Sequence, residues 1–244
     1  MAFRSQKTTG AFLILLFTVT ARGEMTIPLR HVHLRKGGAG EIRISEASIA
    51  FREAGKKQKH SREWAYDDIQ QFWIAPNSIR ILTYEDVMWK LGSDREYEFD
   101  QLPNGAAARL LNAVRPQIDE RRLVSVIPAA VINPVWQVKA KLLEGRGGPE
   151  GIVLVGDESI VFKSDKRNAS RTWQFGQIDN VSSSGPFDLT ITTSEKDRAR
   201  FSGRRDFRFQ LKAALDEKRY NALWRRLNES RLSSNMQAKE NPHE

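Results

Sequence analysis

The chain of 244 residues contains no cysteine and only four histidines. The absence of cysteine excludes a disulfide framework, a thiolate metal site and a cysteine nucleophile. Four histidines leave few places for imidazole-based catalysis. Apart from one run near the N-terminus, no apolar stretch approaches the roughly 20 residues that a membrane-spanning helix needs.

Charge and hydropathy bound the remaining classes. The sequence has 39 basic and 30 acidic residues, a formal net charge of +9 and a hydrophobic content of 40%. Such a hydrophobic share supports packed cores and excludes disorder throughout the chain. Both signs of charge are interspersed, as on an ordinary solvated surface, and the basic excess favours anionic partners.

Residues 1–23 have the order of a secretory signal peptide. Two basic side chains precede the apolar run 11–21. Val19 and Ala21 fit a peptidase site after Ala21, and Gly23 offers a second site. The alternative is an uncleaved N-terminal anchor or a buried strand. The segment predicts an exported protein, secreted or periplasmic, for which nucleic acid is not an expected partner.

The rest of the chain repeats one pattern twice. Residues 40–51 and 151–162 both contain alternating apolar positions, a polar turn and Ser-Ile-x-Phe. Residues 61–69 and 170–178 share Ser-Arg-x-Trp-x-(Tyr/Phe)-x-x-Ile. The further matching segments are 28–34 with 134–140, 79–83 with 189–193, and 97–99 with 207–209. Because the order is the same in both copies, the sequence predicts an internal duplication.

Each copy closes with an amphipathic helical pattern. Apolar residues recur at i, i+3, i+4 and i+7 in both, namely Ala107, Leu110, Leu111 and Val114, then Tyr220, Leu223, Trp224 and Leu227. Asn104 and Asp216 are the predicted N-caps. We expect two domains of about 100 residues, a common size for a single small core. The predicted divisions are 27–118, a linker at 119–133, 134–231, and a flexible tail at 232–244.

This succession of strands and a closing helix resembles the pleckstrin-homology superfold, most of all its GRAM-like and bacterial relatives. The resemblance rests on hydrophobic and turn positions. It implies a mainly β (α+β) fold of two bent antiparallel sheets or partly open barrels, each closed by a C-terminal helix. Members bind lipid headgroups, peptides or proteins. The basic residues that the resemblance implies for lipid binding lie in early loops, here Lys56, Lys57, Lys59, His60 and Arg62, and Lys163, Lys166, Arg167 and Arg171.

Catalytic and metal-binding patterns are weak. His31 and His33 alternate on a predicted strand and so share one face, where they could hold a metal, while the second copy has Gln137 and Lys139 there. No third ligand, no nucleophile with its base and no phosphate-cradling loop is evident in the sequence. We therefore expect a non-catalytic protein without cofactor or metal. The alternative is an enzyme whose site is assembled between the two domains.

The last hairpin of each copy carries a different charge. In the second copy the residues on the predicted solvent side are Arg198, Arg200, Arg204 and Arg208. The corresponding hairpin of the first copy is mostly acidic, with Met88, Lys90, Asp94, Glu96, Glu98 and Asp100. In one interpretation the arginines bind an anionic partner: a lipid headgroup, an acidic polymer or an acidic protein. In another they pair with the acidic hairpin, within a chain or between chains, and serve self-association. In the third both hairpins are merely solvated.

Overall fold

The computed structural model describes residues 24–32, 37–55, 58–88, 92–127, 134–144, 147–166, 168–196 and 204–240, with side chains described as far as Glu229. Fifteen strands and two α-helices in these residues confirm the predicted mainly β class. The predicted signal peptide lies outside the described residues. Neither described helix combines the length and the hydropathy needed to cross a membrane.

The N-terminal half contains seven strands, a helix and a short eighth strand. In chain order these are β1 (Met25–Val32), β2 (Gly38–Ile44), β3 (Ser48–Glu53), β4 (Arg62–Ala65), β5 (Ile69–Ala75), β6 (Ser78–Asp86), β7 (Asp94–Asp100), α1 (Ala106–Val114) and β8 (Leu123–Ser125). Apolar residues alternate along the strands, so Ile27, Ile42 and Ile49 point inward and are buried.

The C-terminal half repeats the same order of elements. These are β9 (Trp136–Leu142), β10 (Glu150–Val155), β11 (Ser159–Ser164), β12 (Arg171–Gln174), β13 (Ile178–Ser182), β14 (Asp188–Thr193), β15 (Arg205–Leu211) and α2 (Glu217–Glu240). In both halves the fourth strand leads into one turn of 3₁₀ helix, Tyr66–Asp68 and Phe175–Gln177. The aromatic residue that begins each 3₁₀ turn is buried.

The sequence repeat corresponds to a repeat of strand pairing. Neighbouring strands run β4-β3-β2-β1-β7-β6-β5 in the N-terminal half and β12-β11-β10-β9-β15-β14-β13 in the C-terminal half. Both halves carry a register shift at the same point, after Ile69 and after Ile178. A bulge bends its strand and strengthens the local twist, so the two sheets curl in the same place.

Each half has its own cluster of buried apolar side chains. Phe51 and Phe99 lie with ring centroids 5.0 Å apart in the first cluster, and Phe162 and Phe209 lie 5.1 Å apart in the second. Full burial of such a side chain stabilises a fold by roughly 1.5–3 kcal/mol. The two halves therefore pack their centres in the same way.

One glycine in each half is required by the pairing of the second strand with the third. A Cβ at Gly40 would collide with the carbonyl oxygen of Arg52, and a Cβ at Gly151 would collide with that of Lys163. Only glycine permits this close approach of backbones. The shared glycine of the sequence motif thus has a steric cause.

Both helices pack the predicted apolar stripe against an apolar cluster, with one exception. Leu110, Val114, Leu223 and Leu227 are buried. Trp224 is exposed, contrary to the prediction. Asp216 caps α2 as predicted, since its Oδ1 accepts the Arg219 N–H at 2.8 Å.

The start of α1 differs from the prediction, and α2 extends into the predicted tail. The N-cap position of α1 is Gly105 in a left-handed conformation, without a side-chain cap, so the prediction of Asn104 was wrong. Helix α2 continues to Glu240 through residues for which the sequence predicted a flexible tail.

The register of the first strand corrects the alignment of the two copies. Leu29 pairs with Gly40, and Ala140 pairs with Gly151. Strand β1 therefore corresponds to β9 with an offset of 111 residues, not the 106 that the proline-led segments suggested. In this register His31 corresponds to Leu142 rather than to Gln137, because the pairing of inward-facing residues fixes the register.

The two halves join in one continuous sheet through β8. Strand β8 runs parallel to β5 and makes a single bridge, Ser125 to Thr172, with β12. Thr172 Oγ1 donates to the Ile127 carbonyl at 2.7 Å, and Gln177 Nε2 donates to the Leu123 carbonyl at 2.6 Å. We call this junction of β5, β8 and β12 the seam. Part of the predicted linker is thus a strand between the halves.

Candidate functional site on the outer face of the C-terminal half

The outer face of the C-terminal half presents a set of basic side chains. Alternation along β9 buries Val138, Ala140 and Leu142 and turns Lys139 and Lys141 outward. The same alternation in β15 buries Phe207 and Phe209 and exposes Arg208. We call this surface the basic outer face; its members are Lys139, Lys141, Lys163, Arg208 and Lys212.

The pairing of the strands sets these side chains in rows. Ile152 pairs with Lys139 on one side and with Lys163 on the other, and the Lys212 N–H donates to the Lys139 carbonyl at 2.8 Å. Neighbouring strands lie about 4.8 Å apart, so Lys139 and Lys163 flank one isoleucine across roughly 10 Å. Leu143, exposed at the end of β9, adds a second apolar side chain to the face.

Few carboxylates balance this face. Lys139 and Lys163 form no ion pair among the described residues. Glu150, which pairs across the strands with Lys141, has its carboxylate 2.5 Å from Lys212. A hydrogen bond from Lys212, with its charge, lowers the pKa of Glu150. The face therefore keeps a local excess of positive charge, which attracts anions over about one Debye length.

The charged side chains on the corresponding face of the N-terminal half pair with one another, and the positions of Lys141 and Lys163 are taken there by Arg30 and Arg52. Arg30 makes two hydrogen bonds with Asp100, at 2.9 and 2.7 Å. Arg52 lies 3.1 Å from Glu63. Arg43 reaches Glu41, which stands where the C-terminal half has Ile152. The same strand frame thus carries a neutralised face in one half and a basic face in the other.

Among the residues predicted from the second copy, four are exposed. Arg204 and Arg208 have 73% and 63% of their side chains exposed, and Lys163 and Lys166 lie on β11 and in the loop after it. Arg204 forms an ion pair with Asp179 at 3.4 Å, and Arg208 forms one with Asp206 at 3.8 Å. Lys59 of the first copy is also exposed. The predicted residues outside the described part are Lys56, Lys57, Arg167, Arg198 and Arg200.

Arg171 lies elsewhere than expected. It begins β12 and is buried at the seam, where its Nη2 lies 4.0 Å from Glu195. Glu195 Oε1 also pairs with Arg205 at 2.7 Å. Burial lowers the pKa of Arg171, against the opposing effect of Glu195. The prediction of Arg171 as a solvated loop residue was wrong, because the N-terminal half covers this edge.

The acids of the first hairpin are largely paired. Glu96 is 3.1 Å from Arg80, and Asp94 is 3.0 Å from Lys196 of the C-terminal half. Burial, which raises the pKa of Asp94, is outweighed by hydrogen bonds from Lys196 and Gln70, so the pKa is lowered. Among the described residues of the second hairpin, Lys196 makes the contact with the first, while Arg204 and Arg208 pair with Asp179 and Asp206. Lys90 lies outside the described residues.

His31 is part of an aromatic cluster. Its ring centroid lies 5.2 Å from that of Phe99 and 5.6 Å from that of His60, and the residue is buried. Glu53 Oε2 accepts a hydrogen bond from the backbone N–H of His60 at 3.0 Å. No three His, Asp or Glu side chains in the described part of the chain are grouped as metal ligands would be. His33 is outside that part.

Two cavities are relevant to the alternative of an enzyme with a site between the two halves. The cavity at the seam, lined by Ser125, Thr172 and Glu195 among others, holds only about 10 Å³. A larger open groove of about 460 Å³ lies beside α2 and contains Glu120, Asp157, Glu158 and Glu229 with Arg226. Arg226 is already 2.6 Å from Asp157. Burial raises the pKa of Glu120.

Sequence reasoning missed Lys141 and Lys212 and read Lys139 only as the counterpart of a histidine. The signal was present in the alternation of residues 136–142, where Lys139 and Lys141 occupy two of the three outward-facing positions. It emerges only when the register of β9 against β10 is known, because that register places Lys163 in the same row.

Comparison with known proteins adds little. No protein-family profile and no curated protein matches the chain. A solved structure titled "Structure of the Spt16D Pob3N heterodimer" is similar over 82% of this chain and 100% of that chain, at 12% identity and a TM-score of 0.32. A similarity of that size does not indicate a function.

Proposed function

We propose that the protein is an exported, non-catalytic module of two pleckstrin-homology-like domains that binds an anionic lipid surface through its basic outer face. The repeated strand order and the helix packed on each apolar cluster support the fold. The predicted signal segment at 1–23 supports export.

The observation that carries the proposal is the contrast between the corresponding outer faces of the two halves. The outer face of the N-terminal half pairs its charges, whereas Lys139 and Lys163 have no ion pair among the described residues. A lysine near an anionic bilayer contributes about 1 kcal/mol of attraction. Ile152 and Leu143 supply apolar contact between the lysines. This combination favours a lipid surface over an acidic protein, whose binding would need a more contoured site.

Vesicle sedimentation tests the proposal. The protein should sediment with vesicles containing phosphatidylglycerol, not with phosphatidylcholine alone, and binding should fall as salt rises. The variant Lys139→Gln, Lys141→Gln, Lys163→Gln should lose about 3 kcal/mol of attraction, roughly a hundredfold in affinity. These side chains are on the surface, so its thermal stability should match that of the wild type.

A matched control removes the same charge from the other half. Arg43→Gln, Arg52→Gln, Arg109→Gln also deletes three positive charges, all from exposed side chains. It should bind anionic vesicles nearly as the wild type does. Equal losses in both variants would show a response to net charge alone and would overturn the assignment to the basic outer face. Absence of wild-type binding at low salt would overturn lipid binding itself.

A further inference from the structure

The two edge strands of the continuous sheet correspond, in the repeat, to the two strands that flank the seam. The continuous sheet ends in β4 at one side and in β13 at the other. In the repeat, β4 corresponds to β12 and β13 corresponds to β5, the two strands that the seam joins through β8. The β4 end therefore presents a surface equivalent to the β12 side of the seam, and the β13 end presents one equivalent to the β5 side.

The N-terminal end exposes large apolar side chains where its counterpart is covered. Tyr84 is 58% exposed and Met88 is 84% exposed. Tyr84 corresponds to Ser194, whose Oγ donates to the Arg121 carbonyl at 2.9 Å within the seam. Exposed large apolar side chains of this kind are typical of an interaction surface.

The C-terminal end also lacks a cover that its counterpart has. After α1 the chain turns and supplies β8 to the edge of β5. After the corresponding point α2 continues as a helix to Glu240. Trp224 is exposed, whereas Leu111, its counterpart on α1, packs against the N-terminal core.

The polar contacts of the seam have charge-inverted counterparts at the two ends. Lys196 lies 3.0 Å from Asp94, and its backbone N–H donates to Gln71 Oε1 at 3.3 Å. By the strand registers, Lys196 corresponds to Asp86, Asp94 to Arg204, and Gln71 to Asn180. The base of the seam, Lys196, is thus replaced by an acid and the acid, Asp94, by a base, while the carboxamide of Gln71 is kept in Asn180. If the β4 end of one copy meets the β13 end of another, an acid again faces a base.

We propose that the protein associates head to tail, with the β13 end of one copy against the β4 end of the next, so that Arg204 pairs with Asp86 of a second copy. Asp86 and Asn180 are exposed. The Arg204 guanidinium has five N–H donors and lies 3.4 Å from Asp179, so it can bridge both carboxylates. Such a heterologous contact does not close on itself as a two-fold dimer does, and it extends into chains or rings.

Sedimentation velocity over a range of protein concentrations tests this association. The wild-type protein should show a weight-average mass that rises beyond that of a dimer. Asp86→Arg and Arg204→Asp each place like charges opposite one another and should weaken association by about tenfold or more. The double variant, Asp86→Arg with Arg204→Asp, restores the complement and should associate again.

A mixture of the two single variants sharpens the result. Each variant is then complementary to the other at both ends, so the equimolar mixture should regain the mass that neither shows alone. A monomeric wild type at all concentrations would overturn the proposal. So would single variants that associate like the wild type, or a mixture that does not recover. The triple lysine variant of the basic outer face should associate normally, which separates this association from lipid binding.

Discussion

The two halves place the same arginine and glutamate in opposite environments. Arg95 and Glu85 of the N-terminal half lie 2.9 Å apart on an exposed edge. Their counterparts, Arg205 and Glu195, lie 2.7 Å apart, and Glu195 is buried at the seam beside Arg171. The ion pair is repeated, whereas the glutamate is exposed in the N-terminal half and buried in the C-terminal half.

This difference shows how the cost of a charge depends on its surroundings. An exposed ion pair contributes about 0–1 kcal/mol. At the seam, Arg171 Nη1 and Glu195 Oε2 are buried without a hydrogen-bond partner in the described part of the chain. Taking such groups out of water is costly unless the charges compensate each other. Glu195 is thus the carboxylate that pairs with buried Arg171, and it shares Arg205 with Glu144.

Removal of this balance is the largest expected effect. Glu195→Gln should destabilise the protein by about 3–5 kcal/mol, because Arg171 stays buried without a counter-charge. Glu85→Gln, the matched change on the exposed edge, should cost about 1 kcal/mol or less. The free energy of unfolding from urea denaturation measures both. Equal effects would mean that the seam does not hold these groups away from water.

Most of the fold follows from the repeated sequence. Alternation at residues such as Ile42 and Phe51 predicted the strands, and the capping residue Asp216 predicted the start of α2. The wrong alignment of β1 with β9 arose because two proline-led segments look alike, whereas backbone pairing to Gly40 and Gly151 decides the register. Pairing between distant strands leaves no local signal in the chain.

The candidate site was predicted less completely, for a related reason. Lys163 and Arg208 follow from strand alternation within one segment. Arg171 has the same local pattern, and its burial depends on β8, which comes from a segment more than forty residues earlier. Neither the seam nor the row that joins Lys139 with Lys163 can be read from spacing, because each is a contact between distant segments.

The second largest expected loss of stability concerns His31 and Leu142, which occupy equivalent inward-facing positions of β1 and β9. Leu142→His should cost about 2–4 kcal/mol, because the imidazole would enter an apolar cluster built around leucine. His31→Leu should change stability by about 1 kcal/mol or less, since the rings of Phe51 and Phe99 already surround the site. Thermal unfolding of the two variants measures the difference. A larger loss from His31→Leu than from Leu142→His would show that the histidine has a structural role of its own.

The smallest expected loss of stability comes from a difference between the two 3₁₀ turns. Tyr66 Oη donates to the Ser45 carbonyl at 2.7 Å, whereas the counterpart Phe175 has no hydroxyl. Tyr66→Phe should therefore cost about 1 kcal/mol at neutral pH.

The same hydroxyl makes the stability of the N-terminal half depend on alkaline pH. Burial raises the pKa of Tyr66 to about 12, while a tyrosine in an unfolded chain titrates near 10. Since the unfolded state then loses its proton first, stability is unchanged below about pH 10 and falls as the pH rises towards 12. The wild type should lose stability more steeply than Tyr66→Phe over this interval, so the difference between them narrows. Urea denaturation of both proteins between pH 8 and about 11 measures the two slopes. Parallel slopes would show that the Tyr66 hydroxyl ionises as freely in the folded protein as in the unfolded chain, and the two turns would then differ only by one hydrogen bond.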